Sequence, residues 1–331
     1  MEPEKRCLKA GAIAIILAMV FHLIAGAESL PRPPEELTSL IGFLETGRRL
    51  PHETVPEPTQ PPVLPKPVPP KISVPIQKPR EIVPPVFTAD DLDNVWVRYD
   101  GDYRPDLPEL MTAPLDLNLY GGKPAVLILH THGCESFEDV SPGVWRTTDP
   151  EKNMIAVGEE LEKLLTDAGI SVLHDRELHD YPSYNYSYAD SREAAQDYLA
   201  QYPSIQLVLD LHRDAADTDD GQLDTSATVN GKESAQILVV VGTDENGLDH
   251  PHWQDNLSLG LKLTAQLETF SPGISRYVSL RTERFNQDLG PHALLIEVGG
   301  AGNTLQEAKN AVSALADAII ALSAGANVPD P

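Results

Sequence analysis

Residues 125–137 read AVLILHTHGCESF. Five apolar residues, Ala125 to Leu129, run without interruption into His130-Thr131-His132, and Glu135 stands three positions beyond His132. A short apolar run with no polar alternation is the pattern of a strand buried on both faces. Ligands of open α/β sheets bind beyond the carboxyl ends of such strands, so the rigid part of the fold holds whatever stands there. Two imidazoles and a carboxylate are nitrogen and oxygen donors suited to a borderline metal, zinc first of all.

Working outward, the same pattern recurs. Apolar strands are expected at 126–130, 170–174, 207–211, 237–242, 277–280 and 294–298, with helical patterns between them. Asp149-Pro150 places a capping residue ahead of a proline. Met154, Val157, Leu161, Leu164 and Ala168 then follow at spacings of three and four, and Gly169 closes the helix. Residues 187–201 and 253–270 read as two further helices. A last one begins at Thr304, where Thr304-x-x-Glu307 is a capping box. Alternating strands and helices predict an α/β domain with a mostly parallel sheet and helices on both faces.

Three of these strands end in residues with chemistry. His132-Gly133-Cys134-Glu135 has the H-x-x-E spacing, which lets a histidine and a glutamate one turn apart close on one ion. Catalytic zinc takes three protein ligands and keeps a fourth position open. The strand that ends Asp210-Leu211-His212-Arg213 supplies a histidine as the third ligand. Asp210 shares the face of His212 and can accept its other ring N–H. Ala293–Ile296 delivers Glu297, a general base or proton carrier. Arg213 is a candidate to stabilise developing charge. His130, two residues before His132, is placed as a supporting residue or an alternative ligand. Cys134 reads as a small packing residue, and the run from His174 through Tyr184 as a loop walling the site, either solvated or touching substrate. Residues 214–224 read as a solvated acidic loop. Each signal alone is unspecific; three apolar strands converging on site residues is not.

Composition narrows the setting. Fifty acidic against 25 basic residues give a net charge of −25, which repels phosphate backbones and excludes nucleic acid as a partner. Cys7 and Cys134 form no disulfide framework. Residues 1–9 carry Lys5, Arg6 and Lys9 and precede an apolar stretch at 10–27, which reads as a transmembrane anchor or a signal peptide. The basic tip stays in the cytoplasm and the rest is exported. Residues 28–86 hold a short amphipathic juxtamembrane helix, at 36–50, and a proline-rich spacer of ~3 Å per residue. The globular domain is expected at 87–325, with a tail at 326–331.

LHTHGCESF, HDRELHDYPSYNYSY, VLDLHRDA and FNQDLGPHALLIEVGGAGNT, with the LETGR that follows the apolar segment, resemble the stage II sporulation protein P family. The resemblance runs from the N-terminal segment to the last helix. It implies a zinc-dependent N-acetylmuramoyl-L-alanine amidase with a single catalytic domain of the cell-wall amidase fold (phosphorylase/hydrolase-like). Such an enzyme cuts the amide between the lactyl group and the stem peptide of peptidoglycan, with cross-link endopeptidase activity as well. It acts outside the membrane, at the septum of a sporulating cell, with stage II sporulation proteins D and M as partners. Carried across the motifs, the metal ligands are His132, Glu135 and His212, and Glu297 is catalytic. Gly133-Cys134 departs from the small hydroxylated pair expected between the first two ligands. Two readings compete: a zinc carboxypeptidase on cell-wall peptides, and a membrane-tethered scaffold without activity.

Overall fold

The computed structural model describes residues 85–218 and 221–323. The expected membrane segment, the juxtamembrane helix, the spacer up to residue 84 and the tail lie outside them. Among the described residues no helix is long and apolar enough to cross a membrane.

One seven-stranded sheet orders its strands β1 (Val97–Tyr99), β10 (Ser275–Arg281), β9 (Ile237–Gly242), β11 (Ala293–Gly300), β4 (Leu207–Asp214), β2 (Val126–Leu129) and β3 (Val172–His174). Two small hairpins, β5 (Asp217–Thr218) with β6 (Gly221–Gln222) and β7 (Ala227–Val229) with β8 (Lys232–Ser234), lie between β4 and β9. Every neighbouring pair of the large sheet is parallel except β9 and β11, which are antiparallel. The sheet is therefore mostly parallel but inverted at one seam. Carboxyl ends of β2, β4 and β11 share one edge, whereas those of β1, β10 and β9 point to the other.

Alternation along the strands sorts the core into two layers. Val126, Ile128, Leu209, Leu211, Val239, Ile296 and Val298 face one way. There they meet helices α2 (Met154–Asp167), α4 (Trp253–Phe270) and α5 (Leu305–Ser323), whose buried Leu161, Leu261 and Leu315 each contribute roughly 1.5–3 kcal/mol. A short helix, α1 (Leu107–Thr112), packs outside α4. Leu127, Leu129 and Leu173 face the other way, against Ala195 of α3 (Ser187–Gln201). Asp210 and His212 continue the series of Val208 on this second face, and Glu297 that of Leu295. The functional candidates thus lie on the thinly covered side of the sheet.

Element bounds follow the expectations to within a few residues, and the differences near the site are these. Helix α2 starts four residues after Pro150, because Asn153 caps it by accepting from the Ile155 amide at 3.0 Å. Asp149 instead closes a turn onto Glu151 and Lys152. The capping box at α5 forms as read: Thr304 N donates to Glu307 Oε2 at 2.8 Å and Glu307 N to Thr304 Oγ1 at 3.2 Å. Strand β4 extends to Asp214, so His212 lies within the ladder, in register with Glu297 of β11. His130 falls one residue beyond β2.

Candidate functional site

Strand β2 ends in a tight turn closed by the Glu135 amide donating to His132 O at 3.1 Å. The turn swings His132 and Glu135 over the end of β4. His132 and His212 meet edge to face, ring centroids 5.2 Å apart at 90°. His212 Nδ1 lies 3.7 Å from Glu135 Oε2, and its Nε2 lies 2.9 Å from Asp210 Oδ1. At that distance the Asp210 carboxylate draws the Nε2 proton toward itself. Asp210 itself is fixed by the Thr131 amide at 2.8 Å and the Thr131 hydroxyl at 2.6 Å. Glu297, buried, stands beside His212 on the neighbouring strand. His132, Glu135, His212, Asp210 and Glu297 therefore form one buried group.

Burial alone would push the His212 imidazole down, but Asp210, Glu135 and Glu297 around it raise it to about 9. With the Nε2 proton turned to Asp210, the remaining nitrogen and the Glu135 carboxylate are two acceptors facing each other. A positive charge belongs between them: a proton, or a metal ion. The donor set, two imidazoles and a carboxylate with a second carboxylate behind one ring, fits zinc by its chemistry. Among the described residues no three His, Cys, Asp or Glu side chains converge to a formed metal-binding geometry.

His130 is occupied elsewhere. Its Nδ1–H donates to Leu211 O at 3.1 Å and its Nε2 meets His174 Nε2 at 2.8 Å, both rings being buried. The His130 side chain thus replaces the next rung of the β2–β4 ladder. Burial and the His174 ring hold it well below the ordinary histidine range, which leaves it neutral. Beyond it, His174 Nδ1 faces Glu162 Oε2 at 3.1 Å, which also accepts from Arg176 Nη2 at 2.6 Å. The two imidazoles meet because Gly158 of α2 has no side chain; a Cβ there would lie 2.6 Å from each Nε2. The pairing of His174 with His130, and the part Gly158 plays in it, have no signal in the sequence, since they depend on packing between distant elements.

Arg213, expected to stabilise developing charge, is committed to the scaffold. Its Nε donates to Ser136 O at 2.9 Å and its Nη2 to Trp145 O at 2.7 Å, and its amide donates to Glu135 Oε2 at 3.1 Å. Cys134 is buried, and burial, followed by the charge of Asp180, pushes its thiol far above the usual range, so it packs as a neutral group. Asp180 accepts from the Cys134 amide at 3.1 Å and pairs with Arg146 Nη2 at 2.8 Å. Tyr184, from the tyrosine-rich run read as a wall loop, lies flat on His132, 4.3 Å away at 7°.

Residues 84–320 match the Stage II sporulation protein P (SpoIIP) family. A curated relative, Stage II sporulation protein P of Bacillus subtilis (strain 168), is 32% identical over 218 residues, which are 60% of this chain and 50% of that protein. The match therefore spans about half the length of that relative. Among solved structures, N-acetylmuramoyl-L-alanine amidase AmiC2 of Nostoc punctiforme is similar with a TM-score of 0.39 and 11% identity, covering 60% of this chain and 97% of that one. The CwlD amidase from Clostridioides difficile, in complex with the GerS lipoprotein, is similar with a TM-score of 0.38 and 15% identity, over 60% and 94%. The family match covers the whole sheet and every residue of the buried group, and the chain belongs to the Stage II sporulation protein P (SpoIIP) family.

Proposed function

We propose that the chain is a zinc-dependent peptidoglycan hydrolase that cleaves the N-acetylmuramoyl-L-alanine amide, tethered outside the membrane through its N-terminal segment, with residues 87–325 as the catalytic domain. The observation that carries this reading is the opposed pair of acceptors, His212 Nδ1 and Glu135 Oε2 at 3.7 Å, with Asp210 behind the imidazole and Glu297 in register beside it. His132, Glu135 and His212 would hold the zinc. When bound, the metal supplies Lewis-acid polarisation of the scissile carbonyl and activation of water at neutral pH. Asp210 keeps the Nε2 proton on His212, which would leave Nδ1 as the nitrogen free to take a cation. Arg213, through its amide and its two carbonyl contacts, holds Glu135 and the loop carrying Ser136 and Trp145 in place. Glu297 takes a proton from the attacking water and returns it to the leaving amine.

The test is digestion of purified sacculi by the full chain, with and without chelator, followed by mass spectrometry of the muropeptides. Free stem peptides that disappear with chelator are the expected products, and Glu297→Gln keeps stoichiometric zinc while losing cleavage. Release of single C-terminal residues makes the protein a carboxypeptidase. No product and no stoichiometric zinc make it a scaffold.

A further inference from the structure

A carboxylate stands behind the His212 ring, and aromatic rings pack around the His132 ring. Tyr184 covers one face of His132 at 7°, and Tyr188 and His212 stand against it edge-on, at 5.5 Å and 86° and at 5.2 Å and 90°. The outer face of Tyr184 is covered in turn by the Arg146 guanidinium, 4.9 Å from the ring centroid. Arg146 is tied at 2.8 Å to Asp180, whose side chain is fully buried, and Asp180 accepts from the Cys134 amide. The layers therefore close back on the turn that carries His132. Stacking sets the plane of the imidazole, while the Asp180–Cys134 bond sets the position of the backbone from which it projects.

We propose that Tyr184 is a positioning residue for the metal site, fixing the plane of the His132 imidazole through its aromatic face, with Arg146 and Asp180 as its backing. The proposal rests on the zinc reading above and adds to it a residue that approaches the metal only through His132. An imidazole directs its lone pair in its own plane, so rotation about the Cβ–Cγ bond moves that lone pair off the ion. A parallel ring 4.3 Å away opposes that rotation. The proposal assigns this role to the ring face, which phenylalanine retains.

Four measurements on the full chain test this, using zinc itself as the probe: zinc affinity by chelator competition, melting temperature of the zinc-free protein, and kcat and KM on sacculi with and without excess zinc. Tyr184→Leu is expected to weaken zinc binding by ~10–100-fold, the range found for outer groups that orient metal ligands. Its zinc-free melting temperature stays within about 2 °C of wild type, since a half-buried ring on the rim carries little of the core. Excess zinc restores its activity, and Tyr184→Phe behaves as wild type throughout. Should the leucine variant not fold, Tyr184→Met is read in its place. Unchanged zinc affinity with a raised KM makes Tyr184 a substrate contact and overturns the proposal. Unchanged affinity with a lowered melting temperature makes it a packing residue and overturns the proposal equally. A phenylalanine variant as weak as leucine also overturns it. Wild-type protein that binds no zinc takes down the functional reading and this proposal together.

Discussion

Gly158→Ala separates packing from propensity at one position. Gly158 lies inside α2, where alanine ordinarily gains about 1 kcal/mol over glycine. Here the added Cβ would sit 2.6 Å from Nε2 of both His130 and His174, which share a 2.8 Å hydrogen bond. Neither ring has room to retreat, because His130 is pinned by Leu211 O and His174 by Glu162. Overpacking a filled site costs about 1–3 kcal/mol. Parting the imidazoles strands a buried donor, which costs about 1–3 kcal/mol more. Set against the propensity gain, the net loss is ~3 kcal/mol, or roughly 6–12 °C in melting temperature for a domain of this size. Urea denaturation and calorimetry of zinc-free protein measure it. Removing the His174 ring in the Gly158→Ala background should return part of the loss, as expected for residues in contact. A variant as stable as wild type, or more stable, refutes the packing argument.

Asn303 is buried; its Oδ1 accepts from Thr225 N at 3.1 Å and Gly300 N at 2.9 Å, while its Nδ2 donates to Asp224, Thr225 O and Glu307. Asn303→Asp turns those donations into acceptor facing acceptor, a cost on the order of 3 kcal/mol, and limited proteolysis should newly cut within 214–225. Lys262 is buried, donating to Leu110 O at 2.7 Å, and burial lowers its pKa from 10.5 to about 8. The folded protein then binds fewer protons than the unfolded chain between those values, so wild-type stability rises with pH across that window. Lys262→Met should be neutral or stabilising at pH 7 and should lack that rise; a difference from wild type that does not vary with pH refutes the assignment. On the zinc reading proposed above, the metal would have to displace the proton that His212 holds up to about 9. Apparent zinc affinity should therefore climb roughly tenfold per pH unit from 7 and level off near 9, as chelator competition will show.

Much of the architecture is legible because periodicity is a local property. The apolar run Ile237–Gly242 and the helices 187–201 and 253–270 fall where the residue pattern puts them. Strand direction is not legible: β9 is buried on both faces, and an apolar run of that kind reads the same whether its neighbour runs up or down. The start of α2 differs from expectation because Asp149-Pro150 and Asn153 both offer caps. Only packing against the turn at Glu135, whose carbonyl accepts from Met154 N, selects the second. At the site, the shared face of Asp210 and His212 is readable from strand parity, whereas the register that sets Glu297 beside His212 is not. The separation of His130 from His132 is not, because a turn begins between them. The two backbone carbonyls that Arg213 meets, and its approach to Glu135 at 3.9 Å, leave no mark in a sequence. Tyr184 stands in plain view in PSYNYSY, but a stacking partner 52 residues away has no signature in spacing.

The inverted seam between β9 and β11 decides at which edge of the sheet the described chain enters and leaves. Strand β1 runs with β9 and against β11, so the chain enters β1 at the edge of the sheet that carries His132, His212 and Glu297. Helix α5 starts at that same edge, after β11, and runs back, ending at Ser323 beside Tyr120, ahead of β2. A label placed just ahead of β1 therefore reports on the edge that carries His132, His212 and Glu297, and one placed just after Ser323 reports on the opposite edge.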